Sequence, residues 1–501
     1  MYDLLIVGGG VNGVGIARDA AGRGLKVCLV EKGDLAGATS SASSKLVHGG
    51  LRYLETYEFR LVRESLGERE TLLAMAPHII WPMRFVLPVD QGMRPAWMLR
   101  IGLFIYDHLA KRNILKPTKR LNLRKTQQGK CLNARLTTGF EYSDCWVDDA
   151  RLVALNAVDA AARGADIRTR TECVALERAP DHWSATLQAA DGTQTPAMAR
   201  IVVNAAGPWV ENILAQFGRK PNISQVRLIK GSHIVTHRLF EGDHAYIFQS
   251  NDGRVIFAIP YENDFTLIGT TDEEIPSNAD KIEISEAEID YLCIAVSHYF
   301  ANPVTRADIV WTYAGVRPLF NDQSSSASVV TRDYVFDLDA GAAVAAPILS
   351  IYGGKLTTYR KLAEHALARL APLLPGLVPS WTAGATLPGG DLSPAEVNKL
   401  RADYALRYPW IPAPLIARWV RSYGTRVPQI VGQATSLAGL GAHFGAGLYT
   451  AEVDYLTSVE FARSADDILW RRSKLGLRLT PNEQAVLSQY LSEQDSASAI
   501  A

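Results

Sequence analysis

The chain has no apolar run long enough to cross a bilayer as a helix, no cysteine pair at C-x-x-C spacing, no H-E-x-x-H pairing and no excess of either charge. Its five cysteines, Cys28, Cys131, Cys145, Cys173 and Cys293, are odd in number and widely separated, so neither a disulfide framework nor a zinc site is expected. No other cluster has metal-ligand spacing. The 52 basic residues equal the 52 acidic ones, which leaves no global field to hold nucleic acid, so any phosphate specificity must be local. A secretory signal is also missing, because a strand-like YDLLIV begins at the second residue, and a cytoplasmic protein is expected.

What is there is ordinary in bulk. With 48% hydrophobic and 21% charged residues the chain matches soluble globular proteins, and its 501 residues exceed what one core organises. Two or three domains follow.

The chemistry begins at the first strand. Ile6 to Gly15 reads IVGGGVNGVG, a G-x-G-x-x-G pattern directly after an apolar run. A helix-forming stretch follows, then Gly24, then a second strand LKVCLV ending at Glu31. This is a complete βαβ start for a dinucleotide. Gly8, Gly10 and Gly13 permit close backbone approach to a pyrophosphate, Asn12 lies in the same turn, and Glu31 would accept from a ribose hydroxyl.

A simple NAD domain would continue with short βα units, yet Lys32 to Glu55 is a long polar segment containing SSASSKLVHGGLRYLE. It suits a chain wrapped along an extended FAD, with Thr39, Ser40, Ser41, Lys45, Leu46, His48 and Gly49 toward the cofactor; a merely solvated serine loop is the alternative. Two later segments would complete the site. RIVVNAAGPW passes from a strand into a small-residue turn at Ala206, Gly207 and Trp209. ILSIYGGKLTTYR passes from a strand through Gly354, Lys355, Leu356 and Thr357 into a helix whose N-terminus could face the flavin ring.

Between Val226 and Val330 the runs SHIV, YIFQS, VIFAIP, FTLIGTT and IVWTYAGV predict a largely antiparallel sheet. After Leu387-Pro388-Gly389-Gly390 the pattern turns helical, including SADDILWRRSKLG with Ser464 as N-cap and Gly476 as a stop. The expected fold is therefore α/β: a Rossmann-like FAD domain, an antiparallel-sheet substrate domain and a C-terminal helical domain. Residues 1–385 form the oxidoreductase region, with the FAD domain from about 1–75, 145–210 and 345–385 and the substrate domain from the intervening segments, mainly 211–344; residues 386–501 form the helical domain. The stretch RPAWMLRIGLFIYDHLAKR, 94–112, suits an interfacial amphipathic helix or a core-packed one, and the core-packed reading is preferred.

VGGGVNGVGIARDAAGRG and GGKLTTYRKLA together resemble the paired signatures of the FAD-dependent glycerol-3-phosphate dehydrogenases. FEYSDCWVDDARLV, RLIKGSHIV, IGTTD, WTYAGVRPL and the serine-rich loop resemble the bacterial respiratory form of that family, in the same order along nearly the whole chain. The resemblance implies oxidation of sn-glycerol 3-phosphate, with electrons passed to ubiquinone or menaquinone. It also implies monotopic attachment to the inner face of the cytoplasmic membrane, and it leaves a homodimer open. It places Arg52, Tyr53, His233, Thr270, Arg317, Arg332 and Lys355 in the pocket before the flavin. Arginine suits a phosphate dianion through its planar fork. His233 is the favoured base, with His48 the other candidate and Arg317 a group that could polarise the reacting oxygen. An oxidase using O₂, or a non-catalytic FAD-binding regulator, are the other readings.

Overall fold

A computed structural model describes residues 1–500 except 56, 217, 219–225, 251, 277–281, 321–332 and 341–344, with backbone alone for 495–500. The expected fold class is observed.

The first sheet forms because its central strands are apolar on both faces. Leu4, Leu5 and Ile6 of strand Tyr2–Val7 are completely buried, as are Cys28 and Leu29 of Val27–Val30. Its strands run in the order Val335–Asp339, Ile348–Tyr352, Gln194–Asn204, Tyr2–Val7, Val27–Val30 and Asp166–Arg168, parallel except for the first. A hairpin, Thr171–Arg178 and Trp183–Ala189, adds antiparallel to Gln194–Asn204. The chain leaves Tyr2–Val7 through helix Val11–Gly22 toward one side, while Gln194–Asn204 flanks it on the other. Such a switch point opens a crevice beyond the strands' carboxyl ends.

The second sheet is mainly antiparallel. Strand Val226–His237 pairs with both Phe265–Gly269 and Ile309–Phe320, and Val255–Tyr261 and Ala245–Gln249 continue outward. Strands Ile80–Pro88 and Thr138–Val147 extend it further, so much of the stretch before residue 148 belongs here as well. The serine-rich loop joins the two sheets. It starts beside the first helix, and its Leu46 and Val47 pair antiparallel with Trp146 and Cys145 at the second sheet's edge.

The C-terminal domain packs helices Val397–Arg407, Ala413–Tyr423 and Thr450–Val459 around Trp419, Tyr423, Leu456 and Ile468. Its buried Glu452 accepts from Arg418, Trp419 and Tyr423, which satisfies a charge that would otherwise be costly to bury. Ser464 and Asp467 cap each other, as their spacing predicts, but the helical turn Asp467–Arg472 ends before Gly476, which lies in the short turn Leu475–Leu477.

Helix Ala96–His108 corrects the core-packed expectation. Leu103 and Tyr106 are buried, but Trp97, Ile101 and Phe104 are 63%, 51% and 61% exposed. These three recur at helical spacing, so one side packs on the second sheet and the other presents an apolar stripe. Among the described residues no helix is long and apolar enough to cross a membrane.

Candidate active site

A cavity of about 750 Å³ runs from the end of the parallel sheet to the second sheet. Its near end is the glycine turn. A Cβ at Gly13 would lie 1.9 Å from the Gly8 carbonyl oxygen, and one at Gly8, whose φ is +115°, would lie 2.5 Å from that of Ala205. Only glycine permits this approach, and it brings the amino end of helix Val11–Gly22 to the cavity without a side-chain cap at Gly10. Glu31 accepts from the N–H groups of Gly9 and Gly33, both at 2.7 Å, and borders the space where a ribose would lie. Asn12 donates to the Gly353 carbonyl at 3.1 Å, while its buried Oδ1 has no hydrogen-bond partner among the described residues. An orphaned polar atom on an N–H-rich cradle fits a dinucleotide.

The flanks also converge. Gly8, Gly10, Asn12, Glu31, Thr39, Ser40, Leu46 and His48 border the cavity from one side; Ala206, Gly207, Trp209, Gly354, Lys355, Leu356 and Thr357 border it from the others. Ser40 Oγ accepts from Val11 N–H at 3.0 Å, and Thr39 Oγ1 donates to the Val316 carbonyl at 2.6 Å, so the serine loop is tied to the start of the first helix and to the second sheet. Gly13, Ser41, Lys45 and Gly49 do not border the cavity. Lys45 is spent on a buried ion pair with Asp149 at 2.8 Å; Gly49 N–H donates to Tyr106 Oη at 2.8 Å; and Ser41 donates to the Ala38 carbonyl at 3.4 Å.

At the far end the second sheet delivers the charged groups. His233 lies on Val226–His237 opposite Tyr313 and stacks on its ring, with centroids 4.7 Å apart. The side chain is 1% exposed, its Nε2 is 2.9 Å from Ser44 Oγ, and its Nδ1 has no partner among the described residues. Burial, then the positive charges of Arg317 and Lys45, hold its pKa well below the ordinary histidine value. The imidazole is neutral at pH 7.

Arg317 enters the cavity from Ile309–Phe320. It donates to Asp272 and, at 3.1 Å, to Thr270 Oγ1. It lies across Gly231, where a Cβ would come within 2.4 Å of its Nη2. Thr270 therefore supports the guanidinium from outside the cavity wall. Lys355 places its Nζ 4.0 Å from the centre of the Tyr53 ring, and both border the cavity. His48 borders it too, with its ring edge-on to Phe257 at 6.4 Å. Arg52 lies on the turn Leu51–Leu54, off the cavity wall, and Arg332 is outside the described residues.

Sequence reasoning missed Ser44, Asp272, Arg170, Cys173 and Arg471. Ser44 sat within the quoted loop and was one serine among several. Asp272 closes the IGTTD motif and needed its cross-strand partner to acquire a role. Nothing local marked Arg471, because its place on the cavity wall depends on how the helical domain packs.

A family of FAD dependent oxidoreductases matches residues 3–360, and the C-terminal domain of alpha-glycerophosphate oxidase matches residues 380–492. Glycerol-3-phosphate dehydrogenase from Pseudomonas aeruginosa is 53% identical over 99% of this chain and 96% of its own. The chain belongs to the FAD-dependent glycerol-3-phosphate dehydrogenase family. A crystal structure of glycerol-3-phosphate dehydrogenase from Bacillus halodurans, complexed with FAD, superposes with a TM-score of 0.75 at 26% identity, covering 98% of this chain and 94% of that one. D-erythritol 1-phosphate dehydrogenase from Brucella abortus is 50% identical over 97% of both chains, so relatives of this degree differ in the polyol phosphate that names them.

Proposed function

We propose that this chain oxidises sn-glycerol 3-phosphate to dihydroxyacetone phosphate and that its electrons pass to a membrane quinone, ubiquinone or menaquinone. The observation that carries the reading is a buried, neutral His233 sharing one cavity with Arg317 and Lys355 and with the glycine cradle.

The cradle at Gly8, Gly10 and Gly13, the helix start at Asn12 and the flanks at Ala206 and Gly354 would hold FAD. When bound, FAD supplies the acceptor for the hydride leaving C2. The remaining work falls to the chain. Lys355 and Arg317, the latter oriented by Asp272 and Thr270, give the phosphate dianion two cations to contact. In the tautomer whose Nε2–H donates to Ser44, His233 Nδ1 has a lone pair to take the C2 hydroxyl proton. Stacking on Tyr313 fixes the ring plane.

The apolar stripe of helix Ala96–His108 supports peripheral membrane attachment, at the inner face of the cytoplasmic membrane. Trp97, Ile101 and Phe104 stand out, with Arg94 and Arg100 beside them, a composition suited to a headgroup boundary. The inner side of the same helix supports a route inward, since Tyr106 bonds Asp144 at 2.8 Å and receives the Gly49 N–H beside His48.

The test is an anaerobic titration of the FAD-loaded protein with sn-glycerol 3-phosphate, followed in the oxidised flavin band. Bleaching that a quinone analogue reverses, with little recovery in air, is the expected result. Rapid recovery in air with peroxide release would make it an oxidase, and bleaching at lower concentrations of D-erythritol phosphate would change the substrate.

A further inference from the structure

The helical domain reaches the cofactor cavity through the turn Asp467–Arg472. Asp467 Oδ2 accepts from the N–H groups of Arg463 and Ser464 at 2.8 and 3.0 Å, which orients the turn so that Arg471 and Arg472 point at the N-terminal domain. There Asp34, 2% exposed, accepts from Arg471 Nε at 2.5 Å and from both Nη atoms of Arg472 at 2.9 and 2.8 Å. Asp467, fully buried, accepts from Arg471 Nη2 at 2.5 Å and from Arg170 Nη2 at 2.7 Å. Next to Arg471 in the chain, Trp470 stacks on Trp311, with centroids 4.5 Å apart, on the strand that carries Arg317.

This cluster holds three cations, Arg170, Arg471 and Arg472, against two anions, Asp34 and Asp467. Within the seam Arg471 and Arg472 balance Asp34 and Asp467, and the third cation, Arg170, is 34% exposed. The seam reaches the cavity: Arg170, Asp34 and Arg471 all border it, beside Glu31, Gly33 and Glu172. That is the end where the adenosine ribose would lie. Arg471 Nε and Nη2 are held by the two carboxylates, and among the described residues its Nη1 has no hydrogen-bond partner.

We propose that Arg471 is a dinucleotide-binding residue supplied by the C-terminal domain, donating to the adenosine diphosphate half of the cofactor while Asp34 and Asp467 position its guanidinium. The helical domain is thus a wall of the cofactor site, closed onto it by ion pairs between residues more than 430 positions apart in sequence. The inference rests on the FAD reading of the cavity and is independent of which polyol phosphate is oxidised.

The test uses the full-length protein stripped of flavin, with Arg471→Ala, Arg471→Lys and, as a control on an exposed ion pair, Arg306→Ala. FAD, ADP and riboflavin 5′-phosphate are titrated by fluorescence, and unfolding of the flavin-free protein is followed by tryptophan emission. Arg471→Ala is expected to weaken FAD and ADP about tenfold or more, the range for losing one charge-assisted hydrogen bond, and to leave riboflavin 5′-phosphate unchanged. Arg471→Lys should recover part of the loss, and Arg306→Ala should change none of the three. FAD and ADP affinities equal to wild type in Arg471→Ala would overturn the proposal, as would an equal loss for riboflavin 5′-phosphate. Should Arg471→Ala fail to fold, Arg471→Lys carries the same ADP comparison, with an unchanged ADP affinity counting against the proposal. Wild-type protein that takes up no FAD overturns the cofactor reading and this inference together, whereas normal uptake with an unaffected Arg471→Ala overturns this inference alone.

Discussion

His233 Nε2 and Ser44 Oγ lie 2.9 Å apart although 189 positions separate them in the chain. One comes from the middle of the second sheet and the other from the loop that leaves the dinucleotide fingerprint, so this bond closes the cavity between the two sheets. Its cost is a histidine that cannot be solvated, and that cost sets the chemistry.

A buried histidine whose pKa lies well below 6.5 keeps its base form as the solution is acidified. The acid limb of kcat/KM for flavin reduction should therefore fall below pH 6.5. His233→Gln should slow reduction by roughly 10²- to 10⁴-fold with FAD content retained. Stability has a related signature. Below pH 6.5 the unfolded chain binds a proton at this position and the folded chain does not, so His233 contributes a loss of stability as pH falls through 6.5, and His233→Gln should flatten that part of a melting profile. An unchanged rate in His233→Gln would exclude it as the proton acceptor.

Arg317 should govern substrate concentration more than cofactor content. Arg317→Ala is expected to raise the glycerol 3-phosphate needed for half-reduction by about 10- to 100-fold, since a charge-assisted contact to a phosphate contributes about 1.5–3 kcal/mol. Equal losses of substrate affinity and FAD would place Arg317 in the fold instead.

Two glycines should fail in different ways. At Gly231 an added Cβ meets the end of the Arg317 side chain at 2.4 Å, and that flexible end can swing aside. Gly231→Ala should keep FAD and lose substrate affinity. At Gly13 the same atom meets the Gly8 carbonyl oxygen at 1.9 Å, and backbone cannot move as cheaply. Gly13→Ala should purify without flavin, which absorbance at 450 nm against 280 nm will read.

The apolar stripe gives a separable prediction. Trp97→Asp with Phe104→Asp removes two exposed rings at the helix surface. Co-sedimentation with phospholipid vesicles should fall at least about tenfold, while flavin reduction by substrate in solution should stay near wild type. Unchanged sedimentation would remove this helix as the attachment surface.

The sequence by itself determined the cofactor end of the protein. The fingerprint needs glycine at Gly13, where a side chain would strike the Gly8 backbone five residues earlier, and Glu31 directly after a strand only one helix later, so this pattern is readable within thirty residues even though Gly8 owes its close approach to Ala205. The resemblance then carried the substrate end as a set of positions, of which Tyr53, His233, Arg317 and Lys355 border the cavity while Arg52 and Thr270 do not. What only the tertiary structure decided was the use made of each charge. Lys45 and Arg317 look alike in sequence and each pairs with an aspartate, yet Lys45 meets Asp149 inside the fold whereas Arg317, held by Asp272, reaches the cavity over a glycine. The same holds for the helix at 96–108, whose apolar face is exposed because the second sheet covers only the side bearing Leu103 and Tyr106. Arg471 is the extreme case, since its neighbours are set by domain packing. Burial and ion pairing depend on what lies within a few ångströms in space, and a sequence records only what lies nearby along the chain.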